Sequence, residues 1–315
     1  MRRFVAAAIG WVLLAGSGLA TGQQRGQRPR LQTRLPQGTK VLRNVEYARI
    51  GEKRALKLDL YLPAGGGKGL RRPLVIWVHG GGWRGGSKSS TPAVALLRDG
   101  FAVASVEYRL TGEAVFPAQI NDCKGAVRFL RANADKYGLD PNAFGAWGSS
   151  AGGHLVALMG TAGDANELEG DVGGNAGVSS RVQAVCDWFG PTDFTVMRTA
   201  GSRSPVTMLL GGPPDEKADL ARQASPVRHV SKDDPPFLIV HGDKDRLVPL
   251  SQSVRLDEAL RKAGVESELH VVKGAGHGRF RDPAVAEKVR RFFRSHLQRE
   301  RDDPGEQAVP DSSTR

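Results

Sequence analysis

Cysteine is close to absent from this chain: among 315 residues there are two, Cys123 and Cys186. Two thiols cannot build a four-ligand structural zinc site, and they allow at most one disulfide, which excludes a disulfide-stapled scaffold. Whether they pair or lie apart as small buried apolar side chains depends on a Cα separation that sequence does not supply. Long apolar runs are also scarce. Phe4 to Leu14 is short, and rich in Ala and Gly, for a membrane span. Behind Arg2 and Arg3, and ahead of the small residues around Gly18-Leu19-Ala20, it predicts a cleaved signal over residues 1–22. That makes the protein secreted or periplasmic, with no stable membrane insertion after cleavage; no Cys near the junction could carry a lipid. Acidic residues are outnumbered, 33 against 45 Lys and Arg, for a formal charge of +12. Such an excess suits a polyanionic partner, but the basic residues are scattered and no nucleic-acid motif accompanies them, so no nucleic-acid partner is expected. No internal repeat is evident.

What is present is an alternation of strand-like and helix-like segments. Residues 23–39 are rich in Gln, Arg, Gly and Pro and read as a linker; the charged tail 299–315 reads as disordered. Between them, residues 40–298 form one large domain. Val41–Ile50 and Leu56–Leu62 alternate well enough for two antiparallel strands. The continuous apolar runs Leu74–Val78, Phe101–Val106, Ala143–Trp147, Val182–Phe189 and Pro236–Val240 are the kind a strand shows when helices cover both faces, and Glu268–Val272 is the last strand. Helical segments are expected around Ala93–Asp99, from Pro117 to a stop at Gly138, after Ser150, over Ser251–Ala263, and from Asp282 with Val285, Val289, Phe292 and Leu297 inward. Gly163–Ser180 is a long Gly-rich loop. Thr192–Asp234, with no convincing strand, reads as a small irregular cap at about residues 192–234. The fold class is therefore α/β: a mostly parallel eight-stranded sheet with helices on both faces, its active site outside the carboxyl ends of the strands.

Those strand ends carry the chemistry. Gly148-Ser149-Ser150-Ala151-Gly152 joins a strand to a helix, the setting of a G-x-S-x-G nucleophile elbow, in which flanking small residues let the chain turn sharply beneath an exposed hydroxyl. Serine attacks only when a base takes its proton, and the base needs an orienting group. His277, in Gly274-Ala275-Gly276-His277-Gly278 after the last strand, is the best base of the seven histidines. His79 and His154 are expected to make structural hydrogen bonds, and His241 closes a strand. Of the two acids after the 236–240 strand, Asp245 lies deeper in the loop and is the expected orienting acid. Asp243 more naturally braces the turn, and Asp187 and Asp193 are the fallback. The chain order Ser150, Asp245, His277 is that of α/β-hydrolases. Gly80, Gly81 and Gly82 can turn N–H groups toward one point, with the N–H of Ala151 completing an oxyanion hole. No metal and no cofactor is needed for this chemistry. Trp83, Arg84, Trp188 and Phe189 are candidate substrate-binding residues, with packing at the sheet end the alternative for the aromatics.

The segments His79-Gly-Gly-Gly-Trp83, Glu107-Tyr-Arg-Leu110, Gly148-Ser-Ser-Ala-Gly-Gly-His154, His241-Gly-Asp-Lys-Asp-Arg-Leu-Val-Pro249 and Gly276-His277 together resemble the secreted α/β-hydrolase esterases of the hormone-sensitive-lipase and BD-FAE-like type, over roughly Val41 to Leu297. The resemblance implies hydrolysis of carboxylic esters of small acyl groups with Ser150 as nucleophile, His277 as base and Asp245 as acid. It further implies Gly81, Gly82 and Ala151 as oxyanion donors, and acetyl or feruloyl esters on plant polysaccharides as substrates. A prolyl-oligopeptidase-like peptidase shares the H-G-x-x-D-x-x-V-P pattern, but the chain is too short for that family's propeller. A non-catalytic carbohydrate or polyanion receptor on the same fold is the rival from another class.

Overall fold

Each buried strand of the domain sends alternate side chains to opposite faces, and both faces are apolar. On one strand Leu74, Ile76 and Val78 enter one core while Val75 and Trp77 enter the other. That two-sided demand turns a continuous apolar run into a central strand of a covered sheet. The structure, a computed structural model, describes residues 35–65, 71–89, 91–163, 165–197, 201–278, 280 and 282–298. The expected signal over 1–22, most of the 23–39 linker and the 299–315 tail lie outside the described residues.

Eight strands form one sheet: β1 (Lys40–Ile50), β2 (Arg54–Leu62), β3 (Arg72–Val78), β4 (Ala102–Val106), β5 (Leu139–Ser149), β6 (Ala184–Trp188), β7 (Phe237–Gly242) and β8 (Ser267–Val272). Their order is β1-β2-β4-β3-β5-β6-β7-β8. β1 and β2 pair antiparallel, as do β2 and β4; every later pairing is parallel. The register sets Val78 beside Gly148 and Ser149 beside Trp188, so β3, β5 and β6 end together.

One face is covered by α1 (Ala118–Ala132), α2 (Ala134–Tyr137), α3 (Ala151–Thr161) and, further on, α6 (Ser251–Lys262); α4 (Pro205–Leu210) and α5 (Ala218–Gln223) belong to the 192–234 insertion. The opposite face takes the 3-10 segment Pro92–Asp99 and α7 (Pro283–Leu297). The expected single helix up to Gly138 is broken at Asn133, and Pro117 stands just outside its first turn. Gly138, at φ 65°, supplies the left-handed stop. In α7 the inward stripe is Val285, Val289, Phe293 and Leu297, a strict four-residue spacing. The expected Phe292 is displaced from that line and only partly buried, its ring against Phe293 and His296.

Cys123 and Cys186 are free, and their side chains belong to different cores. They are buried apolar packing groups, and burial pushes both thiols well above the ordinary range. The Gly-rich 163–180 loop is tied down by Glu169, which takes hydrogen bonds from Lys124 at 3.0 Å and Ser180 at 2.7 Å and pairs with Arg128. Among the described residues no helix is long and apolar enough to cross a membrane.

Candidate active site

β5 ends at Ser149, α3 begins at Ala151, and Ser150 alone makes the turn, with φ 55° and ψ −120°. A β-carbon at Gly148 would come within 2.2 Å of the Gly152 carbonyl oxygen, and one at Gly152 within 2.1 Å of that of Val78. The two glycines are therefore a steric requirement of this turn. Two main-chain bonds fix it: the Ser150 N–H donates to the Trp188 carbonyl at 2.8 Å, and the Ser150 carbonyl accepts from the His154 N–H at 2.9 Å.

His277 arrives from the loop after β8. Its Nδ1 is 2.7 Å from Asp245 Oδ2 and its Nε2 2.9 Å from Ser150 Oγ. A carboxylate only accepts, so the neutral ring carries its proton on Nδ1 and leaves Nε2 free to accept from the serine hydroxyl. The Phe189 ring meets the imidazole edge at a centroid distance of 4.7 Å. Asp245, its side chain fully buried, is held through Oδ1 by the N–H groups of Leu247 at 2.8 Å and Val248 at 3.0 Å. Asp243 points elsewhere and takes the Gly274 N–H at 2.6 Å, bracing the two loops against each other.

Facing the serine is the loop after β3. A β-carbon at Gly80 would stand 2.6 Å from the Ser149 carbonyl and 3.3 Å from Ser150 Cβ, so only glycine lets this loop approach the elbow. Gly81, Gly82 and Trp83 have φ of 122°, 60° and 55°. The Gly81 and Gly82 N–H groups have no hydrogen-bond partner among the described residues, and that of Ala151 stands at the first position of α3, where no intrahelical acceptor exists. Tyr108 supports the loop, donating its hydroxyl to the His79 carbonyl at 2.9 Å and stacking on the His79 ring. Arg109 clamps Asp122 of α1 through its main-chain N–H and its guanidinium. The Glu107-Tyr-Arg-Leu110 segment is thus scaffolding for the loop.

The four candidate substrate-binding residues part company. Trp83 is buried, its indole N–H donating to His154 Nδ1 at 3.2 Å, while His154 Nε2 bonds the Ala224 carbonyl at 2.7 Å. His154 thereby ties the glycine loop, α3 and the insertion together, and burial lowers its pKa to about 4, so it stays neutral. Trp188 is buried against Trp147 and Phe280. Phe189, at φ 46°, supports His277, and Arg84 is exposed. For Trp83 and Trp188 the geometry is that of packing. Both fallback acids lie away from the imidazole. Asp187 is buried behind the elbow with Oδ1 on the Gly190 N–H, and Asp193 Oδ1 holds Thr195. A cavity of about 670 Å³ along β1, beside Phe129, Asn133 and Asp171, includes none of these groups.

Sequence reasoning left one neighbour without a role. His241, at the end of β7, has its Nε2 3.3 Å from Asp245 Oδ2. Its spacing of four residues from the expected acid, across the end of β7, was the available signal.

The known proteins this chain is similar to include several esterases. A family model described as BD-FAE matches residues 58–260. Esterase LipC of Mycobacterium tuberculosis is 32% identical over 214 residues, 65% of this chain and 53% of that protein. A truncated carbohydrate esterase from gut microbiota superposes with a TM-score of 0.77 at 35% identity, covering 82% of this chain and 97% of that one. An acetyl ester-xyloside bifunctional hydrolase of Caldicellulosiruptor lactoaceticus gives a TM-score of 0.67 at 27% identity, covering 78% and 89%. The chain spans about half the length of the curated relatives it matches.

Proposed function

The chain belongs to the BD-FAE family, an α/β-hydrolase family, and from that premise we propose that it is a serine carboxylesterase acting on small acyl esters, with acetyl or feruloyl groups on polysaccharides as its substrate class. The observation that carries the reading is the continuous line Ser150 Oγ, His277, Asp245, with contacts of 2.9 Å and 2.7 Å. Ser150 attacks the ester carbonyl while His277 Nε2 takes its proton. The imidazolium so formed is stabilised by Asp245 and gives the proton to the departing alcohol. Water, activated by the same imidazole, then hydrolyses the acyl-enzyme. The developing oxyanion is met by the N–H groups of Gly81, Gly82 and Ala151, with the positive end of α3 behind the last of them.

The polysaccharide substrate is supported by two structural neighbours, a carbohydrate esterase and an acetyl ester-xyloside bifunctional hydrolase. Export is supported by the basic, apolar and small-residue order of residues 1–22.

The test is turnover of p-nitrophenyl acetate, acetylated xylan and methyl ferulate by the wild type and by Ser150→Ala. Loss of activity in the variant with its fold intact supports the reading. A wild type that turns over none of these esters, yet binds the polysaccharide, sinks it in favour of a receptor.

A further inference from the structure

We propose that His241 is a positioning residue, sharing Asp245 Oδ2 with His277 and thereby setting how strongly that carboxylate holds the catalytic imidazolium. The inference rests on the triad reading above and adds a fourth side chain to it.

The donors around Asp245 are complete. Oδ1 takes two main-chain N–H groups, from Leu247 and Val248. Oδ2 takes His277 Nδ1 at 2.7 Å and faces His241 Nε2 at 3.3 Å. A carboxylate has about four lone-pair sites, and this one, with no exposed side-chain surface, takes three hydrogen bonds, from two amides and His277, and has the His241 imidazole as its remaining neighbour. The protonation of His241 follows from its other partners. Nε2 lies 2.9 Å from the Val248 carbonyl, which can only accept, so Nε2 carries the hydrogen, donates it to Val248 and keeps Asp245 Oδ2 as a second, longer contact at 3.3 Å. Nδ1 is then an acceptor for the Ser253 hydroxyl at 2.7 Å, on α6. Burial lowers the His241 pKa, which keeps the ring neutral and leaves one N–H, not a second cation, beside the carboxylate.

The groups that face His241 add no competing charge of their own. Asp245 and His277 are its titratable neighbours. Asp243, Lys244 and Arg246, on the same loop, are exposed. From α6 come uncharged Gln252 and Ser253, with Arg255 3.9 Å from Asp193, and from the end of β6 comes the Phe189 ring. Because Oδ1 stays pinned by main chain, removing the His241 N–H leaves Oδ2 to His277 alone. The imidazolium is then held harder and releases its proton to the leaving alcohol less readily.

The experiment is the pH profile of kcat/KM for p-nitrophenyl acetate in His241→Phe, His241→Gln and Ser253→Ala. In His241→Phe the acid limb should move to higher pH by roughly half a pH unit or more, with kcat several-fold lower and KM within about twofold. Gln, whose amide can donate from nearly the same place, should bring the limb back. Ser253→Ala should move it the same way by less, and decides the matter if the Phe variant does not fold. An unmoved limb in the folded variants, whatever happens to thermal stability, overturns the proposal. Wild-type turnover in Ser150→Ala or His277→Ala would instead overturn the esterase reading, and this inference with it.

Discussion

Asp187 offers a test of the buried architecture beneath the elbow. It is the penultimate residue of β6, just before Trp188, whose carbonyl holds Ser150, and a β-carbon at Gly153 of α3 would meet its Oδ1 at 2.3 Å. The side chain has no exposed surface; Oδ1 has the Gly190 N–H, and Oδ2 has no partner. Desolvation raises its pKa to about 7, with the Gly190 bond pulling weakly the other way. In the unfolded chain the value is roughly 3.9. The folded state therefore binds more protons between those limits, so the contribution is fully present below the unfolded value and is lost as pH rises through 7. About three pH units at 1.36 kcal/mol each give a loss of up to ~4 kcal/mol. Asp187→Asn cannot ionise and escapes that loss. Urea midpoints of both proteins at about pH 5 and about pH 8 should show the variant gaining about 3 kcal/mol on the wild type across the interval. The buried amide adds an offset that is the same at both pH values. A stability difference that does not change with pH would mean that Asp187 is ionised throughout, and the account of its burial would be wrong.

Asp245→Asn should cut kcat/KM about ten-thousand-fold, because an amide stabilises the wrong imidazole tautomer. Asp243→Asn should keep activity and lose about 1 kcal/mol in a denaturant titration; the reverse pair of results would exchange the roles assigned to the two acids. Glu169→Ala should destabilise the fold by about 3 kcal/mol or more, since it strands Lys124, with no exposed side-chain surface, beside Arg128. The folded fraction should retain its kcat, because the Glu169 cluster is remote from Ser150. An unchanged urea midpoint would show that the 163–180 loop is not held this way.

Most of the framework was legible because it follows from local pattern. Each continuous apolar run became a strand of the covered sheet, and the pattern at Leu56, Leu58, Leu60 became the antiparallel start. The meeting of Ser150, Asp245 and His277 was legible for the same reason, since all three follow strands and so come together at the carboxyl ends of the sheet. What periodicity could not decide were choices made by tertiary packing. Phe292 and Phe293 are equally apolar, and only the line of Val285, Val289 and Leu297 selects the second. The break at Asn133 has no strong breaker in the sequence. Trp83 reads as a pocket wall until His154 is seen to take its indole N–H from α3, 71 residues away in the chain, a contact at 3.2 Å. His241 was visible as a residue and invisible as a neighbour, because its contact with Asp245 depends on how the loop after β7 folds back.

The most direct measurement is the site of covalent capture. Incubated with a p-nitrophenyl phosphonate ester, the wild type should take up one equivalent, found by peptide mass spectrometry on Ser150, with labelling slowed severely in His277→Ala and abolished in Ser150→Ala. Capture at another residue, or none by a protein that still cleaves p-nitrophenyl acetate, would contradict the assignment of Ser150 as the nucleophile.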